Sequence, residues 1–330
     1  MAKLISTNQQ LRAFLGGAYS ASDDFDRIKP YIELAEQTYI AKAISSELLL
    51  HLETLADSSS ISEKEQNLLQ LTRRALAFYG YWMYLPFATG VDGDNGLQET
   101  TTERTQPIRL AVLEKRIATT ADYASQALES VLLTLFNRPD DFPVWKSSDT
   151  YENANRLFLR NGTELKTACS YTRGHHRLYL SMNGFLEERQ RKTIVPMLGE
   201  DFAEALLEAQ SEGNLTPLNK KLLLYVQRAL GYAAYEDALM QLTVVQLPNG
   251  GLRVLSEFDG INNQRSLTDQ DKVFCEYKNT ISTQAQSYLR ELRGFLDANA
   301  DDFPLYTPPT TPRPKGPIDN SQYNTVIRMR

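Results

Sequence analysis

Ser62–Gly80 reads SEKEQNLLQLTRRALAFYG, and Thr216–Ala234, 154 residues on, reads TPLNKKLLLYVQRALGYAA. Leu68, Leu69, Arg74, Ala75 and Leu76 fall on Leu222, Leu223, Arg228, Ala229 and Leu230. The same offset, without a gap, sets Leu11 on Leu165, Arg12 on Lys166, Ile32 on Leu186, Glu33 on Glu187, Ile40 on Ile194 and Leu52 on Leu206. After one change of length near residues 87–115 the match resumes at an offset of 161, where Asp140-Asp141-Phe142-Pro143 falls on Asp301-Asp302-Phe303-Pro304. Self-similarity at a fixed period marks two copies of one structural unit. Packing and interface surfaces use such duplication more readily than a catalytic centre does.

Outward from this stretch the pattern is helical. Ser62 and Glu65 form a capping box, each side chain meeting a backbone donor that the helix leaves open. The partner helix starts Thr216-Pro217, an N-cap followed by proline at the first helical position. Between them Leu68, Leu69, Thr72, Ala75, Leu76, Tyr79, Trp82 and Met83 make a wide apolar stripe, which predicts the central helix of each unit. Upstream, Thr7 is a predicted N-cap and Gly16-Gly17 a helix end. A second helix is expected over Asp24–Ala43, with Pro30 in its first turn, and a leucine-striped third over Ser46–Ala56. A long final helix is expected in each copy, about Pro107–Phe136 and Thr268–Asp297, stopped by the Asp-Asp-Phe-Pro sequences.

The β signal is confined to one place. Leu242–Leu247 and Leu252–Leu255 flank Pro248-Asn249-Gly250-Gly251, a strong hairpin pattern. The first copy keeps Asn95-Gly96 but lacks strand-forming residues around it, so a looser hairpin or loop is expected there. Strands this short are marginal alone. The tips Asn95, Gly96, Asn249 and Gly250 are therefore expected to touch a channel or an adjacent subunit. The fold class is thus mainly α, with two tandem copies of a unit of about five helices and one β-hairpin or loop. The first repeat is expected over residues 1–146, a linker over 147–162, the second repeat over 163–306 and an extended arm over 307–330.

That arm, TPPTTPRPKGPIDNSQYNTVIRMR, holds prolines at 308, 309, 312, 314 and 317 and reads as a polyproline-like extension. Its candidate partner-binding residues are Arg313, Lys315, Tyr323, Val326, Ile327, Arg328 and Arg330. Val326-Ile327 suits strand addition to a sheet edge, with the arginines meeting an acidic rim. Arg313, Lys315, Arg328 and Arg330 against Asp319 make the tail +3, which leaves −9 on the rest of a chain whose net charge is −6. A basic, nucleic-acid-binding body is excluded by that balance.

Hydrophobic residues make up 42% and charged residues 23% of the 330, a normal mix for a chain with a real core. The first residues, MAKLISTNQQLRAF, lack the apolar core and cleavage site of a leader, and no run approaches a membrane span. Cys169 and Cys275 make no disulfide framework, which suits assembly in a reducing cytosol.

Catalytic chemistry finds little support. The histidines are His51, His175 and His176, and neither cysteine has the near partner that a zinc site needs. Asp92-Gly93-Asp94-Asn95-Gly96 opens like a calcium loop but places glycine at position five instead of six. Phosphate-loop, dinucleotide and nucleophile-elbow motifs do not occur. Tyr31, Tyr39, Tyr79 and Tyr81 could line a sugar site, but they fall on helix stripes, where core or interface packing is expected. No catalytic, cofactor or metal residue is assigned, and the chain is not expected to be an enzyme.

Thr7-x-x-x-Leu11, Asp23-Asp24, the helix Tyr31-Ile-Glu-Leu-Ala-Glu36-x-x-Tyr39-Ile40 and the capped helix Gln70-x-x-Arg-Arg-Ala-Leu-Ala-Phe-Tyr together resemble the head–tail connector (adaptor) proteins of tailed bacteriophages. The tandem form, with Phe142-Pro-Val-Trp145 bridging into the second copy, resembles a duplicated relative from phages and prophages of Bacteroidota, over residues 1–306. The resemblance implies a structural virion protein, assembled in the bacterial host cytoplasm and located at the head–tail junction. It implies a ring of copies, 12-fold, that docks under the portal protein, receives tail or second adaptor proteins and lets DNA pass without specific binding. A helical protein-binding scaffold of the bacterial cell, and a helical carbohydrate-acting hydrolase, are the alternative functions.

Overall fold

The starts and ends of the helices repeat at the same two offsets as the sequence. In the computed structural model, which describes residues 4–19, 25–58, 60–88, 90–93, 96–99, 109–172, 174–241 and 272–308, the first repeat comprises six helices. They are α1 (Asn8–Leu15), α2 (Phe25–Ala35), α3 (Lys42–Ile44), α4 (Ser46–Ala56), α5 (Glu63–Tyr84) and α6 (Leu110–Asn137). Two short helices follow, α7 (Pro143–Lys146) and α8 (Asp149–Asn155). The second repeat comprises α9 (Gly162–Ala168), α10 (His176–Arg189), α11 (Val195–Leu198), α12 (Glu200–Glu212), α13 (Pro217–Gln241) and α14 (Lys272–Ala298). A shift of 154 carries the starts of α1, α4 and α5 onto those of α9, α12 and α13, and a shift of 161 carries the end of α6 onto that of α14. Five principal helices per repeat, in two tandem copies, is the architecture that the duplication predicts.

Local chemistry explains the boundaries. Thr7 Oγ1 accepts from the Gln10 amide at 3.2 Å. Ser62 Oγ accepts from the Glu65 amide while Glu65 Oε2 accepts from the Ser62 amide, completing the capping box. Thr216 Oγ1 caps α13 through the Asn219 amide at 3.1 Å. Pro30 departs from expectation. It is the sixth residue of α2, not a first-turn residue, so it removes the amide that would bond the Asp26 carbonyl. Its exposed position lets that carbonyl turn to water.

Both repeats contain a π-helical turn at the same place, Glu36–Ala41 after α2 and Gln190–Ile194 after α10. The extra residue sets the buried Gln190 side chain against the connecting strand of chain below it. Its Oε1 accepts from the Phe158 amide and its Nε2 donates to the Arg156 carbonyl, both at 2.9 Å. A sharp corner then follows in each copy. Gly199 takes φ 94°, ψ 145°, and its counterpart Ser45 takes φ 75°, ψ 155°, a conformation nearly confined to glycine.

In each core the long helices pack in pairs, α5 with α6 and α13 with α14, and α2 and α10 pack on the central members, α5 and α13. Gly80 permits the close crossing of α5 and α2: a Cβ there would sit 2.7 Å from Ile32 Cγ1 and 3.1 Å from Ile32 Cα. Between α5 and α6 in sequence, β1 (Gly90–Gly93) and β2 (Gly96–Glu99) pair antiparallel, Gly90 with Glu99 through Gly93 with Gly96. Of the two expectations for this segment, hairpin or loop, the hairpin therefore forms, because the two-residue spacing sets the register without strand-forming side chains. The corresponding segment of the second repeat, 242–271, lies outside the described residues.

The stretch expected as a linker, 147–162, is structured and packed. It contains α8, and Leu157, Phe158 and Leu159 are buried. At the offset of 154 these three fall on residues 3–5, of which Leu4 and Ile5 are also buried, so the second unit begins near residue 157.

Candidate interaction surfaces

Of the hairpin residues singled out from the sequence, Gly96 opens β2. Asn95, Asn249 and Gly250 lie outside the described residues, as do the arm residues Arg313, Lys315, Tyr323, Val326, Ile327, Arg328 and Arg330. No group of three or more His, Cys, Asp or Glu that could hold a metal occurs among the described residues. His51 instead meets Glu65 at 3.3 Å, and His175 is the N-cap of α10. Burial pushes the Cys169 thiol up to about 12, out of the nucleophilic range. No described helix is long and apolar enough to cross a membrane. The tyrosines pack on one another: Tyr39 stacks on Tyr79 at 4.3 Å, and Tyr81 is buried.

The contact between the repeats is built from a residue that the sequence left unmarked. Glu129, in the middle of α6, reaches the first turn of α10 and acts as its cap. Its Oε1 accepts from the His176 amide at 2.7 Å and from His176 Nδ1 at 2.8 Å, and its Oε2 accepts from the Arg177 amide at 3.2 Å. Burial pushes the Glu129 carboxyl up. The hydrogen bonds from the His176 ring and amide, the His176 charge and the Arg177 amide outweigh it, so the group ends below its ordinary range. His176 is fully buried and stacks on Phe136 at 5.2 Å, and Phe136 also meets Trp145 and Tyr179 edge-on at 5.3 and 5.8 Å. The Arg177 guanidinium lies 5.9 Å above the Tyr79 ring, so a cation of the second repeat rests on the core of the first. The two repeats are thereby one packed body, not beads on a linker. A groove of about 240 Å³ follows the seam, between Asn153 and Arg156 on one side and Asn183, Glu187 and Arg191 on the other.

Position-by-position comparison of the two copies is the signal that reveals this joint. At the offset of 161, Glu129, Leu132 and Phe136 fall on Arg290, Arg293 and Asp297. Leu132 and Phe136 are buried, whereas all three counterparts are exposed. The first repeat has a neighbour to cover this face, and the second presents it as a polar cap to solvent.

Other faces differ in the opposite sense. Leu34, Leu50, Tyr123 and Leu133 of the first repeat are 43–51% exposed apart from Leu50 at 59%. The second repeat has Glu188, Glu204, Gln284 and Gly294 at those positions. Leu224, exposed where the first repeat has Gln70, is the reverse case. On α12 the row Glu200, Glu204, Glu208 and Glu212 is exposed throughout; its counterpart on and beyond α4 is Ser46, Leu50, Thr54 and Ser58. A second groove, about 320 Å³, lies where the N-terminal end of α12 meets the chain leaving the second repeat. Among the described residues neither groove brings carboxylates together from different elements: the first is lined by Glu187, and the second by Glu200 and Asp201 of a single turn.

The chain belongs to the family of unknown function DUF6712, whose pattern covers residues 31–155 and 194–316. The two matched regions follow the two repeats, and their ends are separated by the same 161 residues as the Asp-Asp-Phe-Pro sequences. No curated protein and no solved structure matches the chain.

Proposed function

We propose that this protein is a structural assembly subunit, a phage head–tail connector that forms a ring beneath the portal and joins it to the tail. The observation that carries the reading is the asymmetry between the repeats. A closed ring built head to tail needs two different, complementary faces on each subunit. Here one fold occurs twice with two different exteriors, apolar at Leu34, Leu50, Tyr123 and Leu133, with Glu188, Glu204 and Gln284 at three of the matching positions and Gly294 at the fourth. The acidic body suits a channel that DNA passes without binding, and the resemblance of residues 1–306 to the connector proteins supports the same role. On this reading the protein is not an enzyme, and the distal arm, with Tyr323, Val326, Ile327, Arg328 and Arg330, engages the portal or a neighbouring subunit.

Negative-stain imaging of the purified protein, alone and with its portal, tests the proposal. Rings, or density added beneath the portal, are the expected result. Replacing Leu34 and Leu50 by glutamate, the residue of the second repeat, is expected to leave the fold intact and disperse the rings. A monodisperse monomer that ignores the portal overturns the reading and leaves a cellular scaffold in its place.

A further inference from the structure

We infer that the joint between the two repeats recurs between copies of the chain, with the outer face of α14 in one copy receiving the start of α2 in the next. The inference rests on the proposed ring and adds to it the surfaces that meet. The joint has two halves, the face of α6 around Glu129 and the start of α10 around His176 and Arg177. Duplication supplies a second set of both. The second repeat carries the α6-type half on α14, and the first repeat carries the α10-type half at the start of α2. The two halves differ, so joining them between copies is a head-to-tail contact, the kind that closes into rings.

Charge identifies the occupant. Gln286, Arg290, Arg293 and Asp297 lie along one stripe of α14 and are exposed, where α6 has Ser125, Glu129, Leu132 and Phe136. The centre of the stripe changes from acid to base, Glu129 to Arg290. The other half changes the opposite way. Leu180, half-buried and one turn beyond His176 on α10, falls on Asp26, an exposed first-turn residue of α2. In sequence, Arg177 and Leu178 fall on Asp23 and Asp24. Within the chain an acid of α6 meets a helix start that carries a base; between copies a base of α14 meets a helix start that carries acid. The two reversals compensate each other only where these faces meet.

The cations of α2 do not spoil the match. Arg27 falls on Ser181, which is exposed, and Lys29 on Asn183, which lines the groove shared with Asn153 of α8. No ion pair among the described residues engages Arg290. Asp297 is held by the Tyr306 hydroxyl at 3.0 Å, where the first repeat has the edge-on contact of Phe136 with Trp145. Charge in place of Leu132 and Phe136 keeps this face soluble in the free chain. It also makes the contact between copies weaker and more sensitive to salt than the joint within the chain. A ring of copies is thereby a ring of repeats in which covalent and non-covalent joints alternate.

Sedimentation velocity of the full-length protein at low salt tests the joint with two variants, Arg290→Glu and Asp26→Arg, each checked for its fold by thermal melting. The parent is expected to self-associate, and less so as salt is raised. Each variant alone sets like charges against each other and is expected to associate about tenfold more weakly. An equal mixture of the two should recover the parent's association, because the reversed face of one copy then meets the reversed face of the other. Association unmoved by either variant, or a mixture no stronger than its components, refutes the joint. Rings or added portal density that survive Arg290→Glu also refute it and leave the connector reading standing. Recovery on mixing without rings or portal binding upholds the joint and overturns the connector reading. A parent that stays monomeric with and without the portal refutes both.

Discussion

Glu129→Ala should loosen the joint between the repeats and cost the protein about 2–4 kcal/mol. The carboxylate serves as the cap of α10 through the His176 and Arg177 amides, and losing such a cap costs about 1 kcal/mol. The His176 ring, fully buried, also loses the acceptor of its Nδ1–H, a penalty of about 1–3 kcal/mol. Glu129→Gln keeps one acceptor oxygen and should cost roughly half as much. Urea unfolding followed by Trp145 fluorescence suits the measurement, since Trp145 lies 5.3 Å from Phe136 at the joint; Trp82→Phe removes the other indole. The pH dependence follows from sign. The folded carboxyl titrates below its unfolded value, so its contribution is complete above the unfolded value, about 4.3, and is lost as pH falls through the folded one. Parent and Glu129→Ala should therefore differ at neutral pH and converge in acid. A neutral-pH difference under about 0.5 kcal/mol, or one unchanged by acid, would show that the hydrogen bonds do not hold the repeats together.

Four further perturbations probe the fold. Ser45→Gly should raise the melting temperature by a few degrees, because relief of a conformation costing about 1–3 kcal/mol exceeds the loss of the Ser45 cap on the Leu48 amide; Gly199→Ala should lower it by a similar amount. Gly80→Ala should destabilise by about 1–3 kcal/mol in chemical denaturation, since the new methyl meets Ile32. Under native conditions at pH 8 a thiol reagent should modify Cys275, which is part-exposed, and spare Cys169 until the protein unfolds, as stoichiometric labelling followed by peptide mapping will reveal.

The sequence by itself determined the duplication, the helical class and most helix ends. These are local properties: Thr7, Ser62 and Thr216 cap through atoms three residues away, and the apolar stripe of α5 repeats in α13 without reference to anything distant. Even the polar exterior of α14 is legible once Leu132 and Phe136 are set against Arg293 and Asp297. Pro30 was misplaced because an exposed interior proline, whose freed carbonyl can turn to water, leaves no local mark that separates it from a first-turn one, and residues 147–162 passed for a linker because their polar composition hides three buried side chains. Only the tertiary structure decided that Glu129 caps a helix 47 residues on, that Ser45 bears a glycine-like backbone, and that the chain leaves the second repeat beside the acidic row of α12. Each of these depends on which surfaces meet. A mid-helix glutamate looks like a solvated charge until a second helix end is brought against it, and no periodicity within the chain encodes that encounter.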